Sequence, residues 1–241
     1  MGDKRVTMDS PFEKRTTCTR TPKSVQRPTV SSRSEIFSHF KNALYEIESF
    51  RRNINLEEES DQRKKEVSSY YFRTSIIMIC SAFDHYMHEI LYFSFLHMKN
   101  GRIPKSRMYK EEIDSSGRYS SSTPLSVFLS KLDKIYGRKT LSSSRYWKEA
   151  IPSMGADLNE VSQRVLEEMG IYGVTGNISI SKVSALLDKK AERRNEIVHN
   201  YDTPIFGARN EINEDITNEY TRFFSSLVNS TDEELKIKLK A

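Results

Sequence analysis

The sequence predicts an all-α protein folded as a single helical bundle. Charged residues make up 29% of the 241 residues, and only nine glycines occur. This composition favours long helices over many short strands. Apolar residues also recur every three or four positions in several segments, which is the spacing of one buried helix face. A chain of this length is expected to form one domain of ordinary size, with or without a tail.

The two ends of the chain are predicted to lie outside the bundle. Residues 1–32 are rich in Lys, Arg, Ser, Thr and Pro and poor in apolar side chains, so they are expected to form a disordered basic tail. The helical domain is predicted over residues 33–230, with Ser32 or Ser34 as the N-cap of a first helix that runs to about residue 54. Residues 231–241 are predicted to be a charged C-terminal tail.

The second predicted helix, about residues 62–99, is the longest and the most apolar. Its longest uncharged run, residues 74–83, is too short for the roughly 20 residues of a membrane span, so no membrane association is expected. Asp84 lies on the same helical stripe as Cys80 and Met87. A carboxylate among apolar side chains is costly unless it is paired, so Asp84 is expected to have a buried partner.

The remaining helices follow from capping residues and apolar spacing. Residues 100–123 are predicted to form a polar loop, Trp147 to anchor a short helical turn, and residues 171–180 are strand-like but too isolated to form a sheet. A helix that carries the candidate site is predicted from Ser179 or Ser181 to about Tyr201. Further helices are predicted over 124–136, from Asp157 to Met169 with Gly170 as the stop, and over 208–229.

The candidate site is the segment AERRNEIVHNYD, residues 191–202, in which Arg194 precedes His199 by five positions. An arginine and a histidine held together can cleave RNA without a metal. The spacing alone is weak evidence, because Arg193 with His199 and Arg33 with His39 have similar spacings. A purely structural alternative is an ion pair between Arg194 and Asp84, with His199 as a residue of the helix surface.

Both interpretations use the same expected helix geometry. Arg194 falls on the apolar stripe of its helix, and Asp84 is the acid available on an inward face, so the two are expected to pair. Asn195 and His199 are four residues apart and lie on one side of the helix. A histidine in the last turn, at the negative end of the helix dipole, suits general acid–base work near neutral pH.

Two sequence blocks resemble the HEPN superfamily, and in particular its RiboL-PSP-HEPN type. RNEIVHNY resembles the superfamily's Arg-x4-6-His-x-Tyr signature, and FRTSIIMICSAFDHYMHEI resembles the helix that packs against it. These all-helical proteins include many metal-independent ribonucleases of bacterial toxin–antitoxin and phage-defence systems. The resemblance implies an HEPN-like bundle in which Arg194 and His199 are catalytic. Asn195 would orient the site, Asp84 would hold Arg194, and Tyr201 would be the terminal tyrosine of the motif.

The resemblance further implies an endoribonuclease in which the 2′-OH of RNA attacks the adjacent phosphate. No metal or other cofactor is expected, and the superfamily's usual arrangement implies a homodimer. An antitoxin or a defence-system protein is a further expected partner. The alternatives are a non-catalytic HEPN module that binds RNA, nucleotide or protein, and a helical scaffold with no role in RNA.

Composition agrees with this expectation without deciding it. The formal net charge of +5 and the isoelectric point near 9.0 permit a nucleic-acid partner. Cys18 and Cys80 do not suggest a disulfide framework, so a cytoplasmic location is the simplest expectation.

Overall fold

The computed structural model describes residues 31–53, 60–117, 122–137, 139–200, 202 and 210–240. Within these ranges the chain forms eight α-helices and no β-strand, which confirms the predicted all-α fold class. The helices are α1 (Arg33–Arg52), α2 (Asp61–Lys99), α3 (Arg107–Glu112), α4 (Leu125–Tyr136), α5 (Ser144–Ser153), α6 (Leu158–Glu168), α7 (Gly176–Asn200) and α8 (Glu214–Lys240).

The bundle is organised around α2, which is a continuous helix of 39 residues and therefore about 58 Å long. It packs against α1, α7 and α8 on different sides. Apolar side chains are therefore buried around much of its circumference, and they include Ile76, Ile79, Phe83, Met87 and Ile90. The prediction of one long apolar helix over about 62–99 is confirmed.

Local capping explains where several helices begin and end. At α1, the Ser32 hydroxyl accepts a hydrogen bond from the Glu35 N–H, and the Glu35 carboxylate accepts one from the Ser32 N–H at 2.6 Å. This reciprocal pair is a capping box. Asp157 caps α6 through the N–H of Asn159 at 2.8 Å. Gly170 ends that helix with φ near +82°, a conformation that glycine adopts without strain.

Three segments differ from the prediction. The strand-like residues 171–180 form no strand, and α7 begins at Gly176, three residues before Ser179. The predicted polar loop 100–123 contains the short helix α3, because Tyr109 is buried in the core. Trp147 is fully buried in α5, which is ten residues long where only a short turn was expected.

The C-terminal boundary predicted at residue 230 is wrong, because residues 231–240 continue α8. Their charges are not all solvated: Asp232 and Glu234 are buried and form ion pairs with Arg33 of α1 and Arg164 of α6. Leu235, the next residue, is fully buried in the core. These contacts hold the end of α8 against α1 and α6. The predicted tail over residues 1–30 lies outside the described residues.

A membrane span is not among the described helices: none of them combines sufficient length with sufficient apolar character.

The end of α8 gives a test of its packing. Leu235→Ala removes a fully buried side chain and is expected to lower the free energy of unfolding by about 2–5 kcal/mol. Ile237, two residues further on, is half exposed, so Ile237→Ala is expected to change it by less than about 0.5 kcal/mol. Urea denaturation of both variants measures the difference. Equal, small effects would show that residues 231–240 do not pack as described.

Candidate functional site at the end of helix α7

Helix α7 presents the candidate residues in its last two turns. Val183, Leu187 and Ile197 are buried against the core, so the inward stripe passes through position 194. Arg194 is half-buried, whereas Asn195 and His199 are exposed. Val198 is exposed, and its neighbour Ile197 takes the buried position.

The end of α7 is held by a buried carboxylate that serves two arginines. Asp202 is fully buried. One of its oxygens accepts hydrogen bonds from Arg73 Nε of α2 and from Arg193 Nη2, both at 2.9 Å. Its other oxygen lies 2.5 Å from Arg193 Nη1. One carboxylate therefore connects α7 to the central helix.

The remaining donors of this cluster meet backbone carbonyls. Arg73 donates to the carbonyl oxygens of Ser69 at 3.1 Å and of Asn210 at 2.7 Å, and Arg193 donates to that of Glu211 at 3.0 Å. Arg193 Nη1 also lies 3.6 Å from the Glu196 carboxylate, so two carboxylates balance the two guanidiniums. Because buried polar groups are costly when unsatisfied, the cluster specifies one arrangement of these segments.

The main chain of Asp202 also takes part. Its N–H donates to the Glu196 carbonyl at 3.0 Å, which caps the last turn of α7, and its own carbonyl accepts from the Asn210 N–H at 2.9 Å. The φ angle of Asp202 is +61°, a left-handed conformation that Asp and Asn adopt more readily than most residues. Asp202 therefore fixes where α7 ends and how the chain continues toward α8.

Two adjacent arginines are thereby given different surroundings. Arg193 is bound within the Asp202 cluster. Arg194 points about 100° away around the helix and donates only to Asn195 Oδ1, at 3.1 Å, among the described hydrogen bonds. Both arginines have a spacing to His199 that fits the motif, but only the guanidinium of Arg194 remains available to a ligand.

Arg194 lies on the wall of a cleft of about 500 Å³ between α2, α7 and the segment that follows α4. Asp84, His88 and Glu89 of α2 line the same cleft. On the side opposite α2, Asp133, Thr140 and Ser142 complete the walls. Asp84 Oδ1 accepts a hydrogen bond from the Ser142 N–H at 3.1 Å, which ties α2 to this segment.

The predicted buried ion pair between Asp84 and Arg194 is not present among the described contacts. The Asp84 side chain is 29% exposed, and its one described ion-pair contact is with the His88 ring, 3.8 Å away, which is charged only when protonated. Helix α2 turns Asp84 toward the edge of the cleft rather than into the core. Water in the cleft and the Ser142 N–H therefore solvate the carboxylate, so it needs no buried partner. Asp84 and Arg194 share the cleft without pairing.

The cleft also contains a buried thiol. Cys80 borders it and is almost fully buried. Burial raises the pKa of the Cys80 thiol to about 12, against the opposing effect of the Arg194 and Lys190 charges. The thiol is therefore protonated at neutral pH and is not a nucleophile.

Lys190, one turn before Arg194, is buried on the same stripe of α7. Its Nζ lies 2.7 Å from Glu219 Oε1 of α8 and 4.2 Å from the centre of the Tyr220 ring. Burial lowers the pKa of Lys190, and the hydrogen bond to Glu219 opposes that effect. Lys190 thus attaches α7 to α8. Arg194, on the same stripe, faces the cleft instead.

Tyr201 and the pair Arg33 and His39 also entered the sequence prediction. Tyr201 lies outside the described residues. Arg33 and His39, whose spacing also fits the motif, form ion pairs with Asp232 and with Glu89 respectively, the latter at 3.5 Å. Both lie on α1 and neither lines the cleft, although His39 contacts Glu89 at its edge.

Sequence reasoning missed Asp202 and the structural role of Arg193. One signal was present: an Asp follows the predicted helix directly and precedes Pro204 by two positions, where a left-handed helix end is common. Arg73 was visible as the arginine that precedes Asp84 on α2, but its partner lies 129 residues further along the chain.

The fold and the site together define a HEPN-type helical domain. A model of the RiboL-PSP-HEPN family matches residues 30–236, which is most of the chain, and the protein therefore belongs to this family. Comparison with curated proteins gave no match. Comparison with solved structures also gave no match. Membership of the HEPN superfamily indicates a ribonuclease or another RNA-related function.

The Asp202 cluster makes a prediction about stability. Asp202→Asn keeps a side chain that tolerates positive φ but removes the charge that two guanidiniums share, and is expected to lower the free energy of unfolding by about 3–5 kcal/mol. Asp84→Ala removes a partly exposed carboxylate with one backbone hydrogen bond and is expected to lower it by about 1 kcal/mol. Chemical denaturation compares the two. A larger loss for Asp84→Ala would instead support the pairing of Asp84 with Arg194.

Proposed function

We propose that the protein is a metal-independent endoribonuclease in which Arg194 and His199 act on the scissile phosphate. The observation that carries this proposal is the separation of roles at the end of α7. Arg193 is committed to the buried Asp202 cluster, while Arg194 borders a cleft and His199 is exposed one to two turns further on. A rigid helix end thus offers one cation and one imidazole to a ligand in solution.

The chemistry follows from these two groups. His199 takes the proton from the 2′-OH or gives one to the leaving 5′ oxygen, as general base or general acid. Arg194 stabilises the negative charge that builds on the phosphate oxygens in the transition state. The products are a 2′,3′-cyclic phosphate and a 5′-OH. Asn195 hydrogen-bonds to Arg194 at 3.1 Å and orients its guanidinium.

A second copy of the chain completes the site in this proposal. Five residues along an α-helix separate Arg194 and His199 by about 7.5 Å along the axis and about 140° around it. One histidine cannot stand on both sides of an in-line phosphate. A two-fold axis beside the end of α7 supplies a second His199 and a second Arg194, so that one histidine acts as base and the other as acid.

Exposed apolar side chains near this end of the molecule support an interface there. On α2, Tyr70 and Met78 are 61% and 42% exposed, and Val198 of α7 is 40% exposed. Tyr70 and Met78 are within two helical turns of Arg73 along α2, and Val198 is four residues before Asp202, which Arg73 contacts. Apolar side chains exposed in one region are typical of surfaces that a partner covers.

The alternative is a HEPN module that binds RNA, nucleotide or protein without cleaving. It would keep the Asp202 cluster and the cleft, and it would not depend on the imidazole of His199. The wider role proposed for the nuclease is that of a bacterial toxin or antiphage effector, which an antitoxin or a defence-system partner would hold in check.

Catalysis is tested by a pair of histidine variants. In EDTA the wild-type protein is expected to cut single-stranded RNA, and His199→Ala is expected to lower the rate at least about 100-fold, because general acid–base catalysis contributes that much or more. Since His199 is exposed, the melting temperature should stay within about 2 °C. His39→Ala, at an exposed histidine with a similar arginine spacing, is the control and should retain full activity. Cleavage by His199→Ala at the wild-type rate would favour the non-catalytic alternative.

The composite site is tested by subunit exchange. Arg194→Ala and His199→Ala proteins, each inactive alone, are mixed under conditions that exchange subunits and assayed for RNA cleavage. If residues from both subunits act on one phosphate, the two variants together should restore activity above that of either alone. Light scattering that shows only monomer, with activity linear in protein concentration, would exclude the two-fold site.

A further inference from the structure

The cleft beside Arg194 has a lining that does not suit a phosphate. Three carboxylates border it, those of Asp84, Glu89 and Asp133, and Arg194 is the only Lys or Arg among the described residues that line it. A phosphate placed inside would be repelled by these acids. The RNA backbone is therefore expected at the rim of the cleft, where α7 ends, and a group rich in hydrogen-bond donors within it.

Asp84 is held ready to accept such donors. The Ser142 N–H fixes Oδ1 at 3.1 Å. The His88 ring that lies 3.8 Å from Oδ2 has its Nδ1 2.8 Å from the Asp84 carbonyl and its Nε2 3.0 Å from the Tyr136 carbonyl. Among the described residues Oδ2 therefore has no hydrogen-bond donor. A ligand can supply one without displacing a protein contact.

We propose that this cleft binds a guanine base of the RNA next to the phosphate on which Arg194 and His199 act. The inference rests on the proposed function for the identity of the polymer. Guanine presents its N1–H and its 2-amino group side by side, and this pair of donors suits one carboxylate. Uracil lacks an exocyclic amino group. Adenine and cytosine each place an acceptor beside their amino group, and Asp84 repels that acceptor.

The size and shape of the cleft fit this ligand. A volume of about 500 Å³ lies within the usual range for small-molecule sites. Tyr92, half-buried on the wall formed by α2, offers an aromatic face. Sequence-specific RNA recognition commonly uses unpaired bases that stack on aromatic side chains and hydrogen-bond through their edges.

The test uses RNA that cannot be cut. Uridine hexamers with one guanosine, adenosine or cytidine, and with every ribose 2′-O-methylated to block attack, are titrated against the wild-type protein by fluorescence anisotropy. The guanosine hexamer is expected to bind at least about ten-fold more tightly than all-uridine, because hydrogen bonds to a charged group are strong. Inosine lacks the 2-amino group and is expected to lose most of that gain.

Matched variants locate the preference. In Asp84→Asn the side-chain oxygen can still accept from Ser142, but an amide donor replaces Oδ2, so the preference for guanosine should disappear. Asp133→Asn makes the same change of charge in the same cleft and should alter the affinity for both hexamers equally. The proposal is overturned if guanosine and uridine bind alike, if adenosine or cytidine binds best, or if the Asp84 variant keeps the preference.

The outcomes for the cleft and for catalysis are separable. If the protein prefers guanosine but does not cut RNA, the guanine-binding proposal stands and the nuclease proposal fails. If the protein cuts RNA with no base preference on either side of the cut, the nuclease proposal stands and the guanine-binding proposal fails.

Discussion

One buried carboxylate, that of Asp202, determines the structure at the end of α7, where the candidate residues Arg194 and His199 lie. It neutralises guanidiniums from α2 and α7 and, through its own peptide groups, ends α7 and binds the chain at Asn210. Glu196 supplies a second carboxylate, 3.6 Å from Arg193. Carbonyl oxygens of α2 and of residues 210 and 211 accept hydrogen bonds from the remaining donors. Since removal of any member strands another, the cluster acts as a unit, and His199, three residues before Asp202, inherits its fixed position.

The cluster also explains why two consecutive arginines are present. Arg193 binds the buried Asp202. Arg194, about 100° around the helix, faces solvent and the cleft. A single arginine could not do both, because a guanidinium satisfied by a buried carboxylate has no donors left for a phosphate. Lys190 repeats the pattern one turn earlier, where Glu219 and Tyr220 bind the ammonium. Lys190 and Arg193 thus attach α7 to its neighbours, whereas Arg194 borders the cleft.

Features set by local physics were predictable from the sequence. Apolar periodicity located α2, and side chains such as Ser32, Asp157 and Gly170 marked helix ends because caps act within one turn. Tertiary pairings were not predictable in this way. Asp84 was expected in the core because its stripe is apolar, yet a cleft solvates it. The partner of Arg73 lies 129 residues away and depends on a left-handed residue. The end of α8 looks like a polar tail because its burial depends on acids that meet arginines of α1 and α6. The family resemblance identified Arg194 and His199 as candidates, but their catalytic role awaits experiment.

The ion pair between Arg33 and Asp232 has a consequence for handling the protein. It joins residues 199 positions apart, so the start of α1 lies beside the last part of α8. Asp232 is 18 residues beyond the start of α8, and therefore about 27 Å along its axis from the end near Asp202. A circular permutant that joins Lys240 to Ser31 by a short linker and opens new termini in a surface loop would keep this ion pair. A fluorophore attached near Lys240 would lie about 39 Å along the axis of α8 from Glu214, and therefore far from the end of α7.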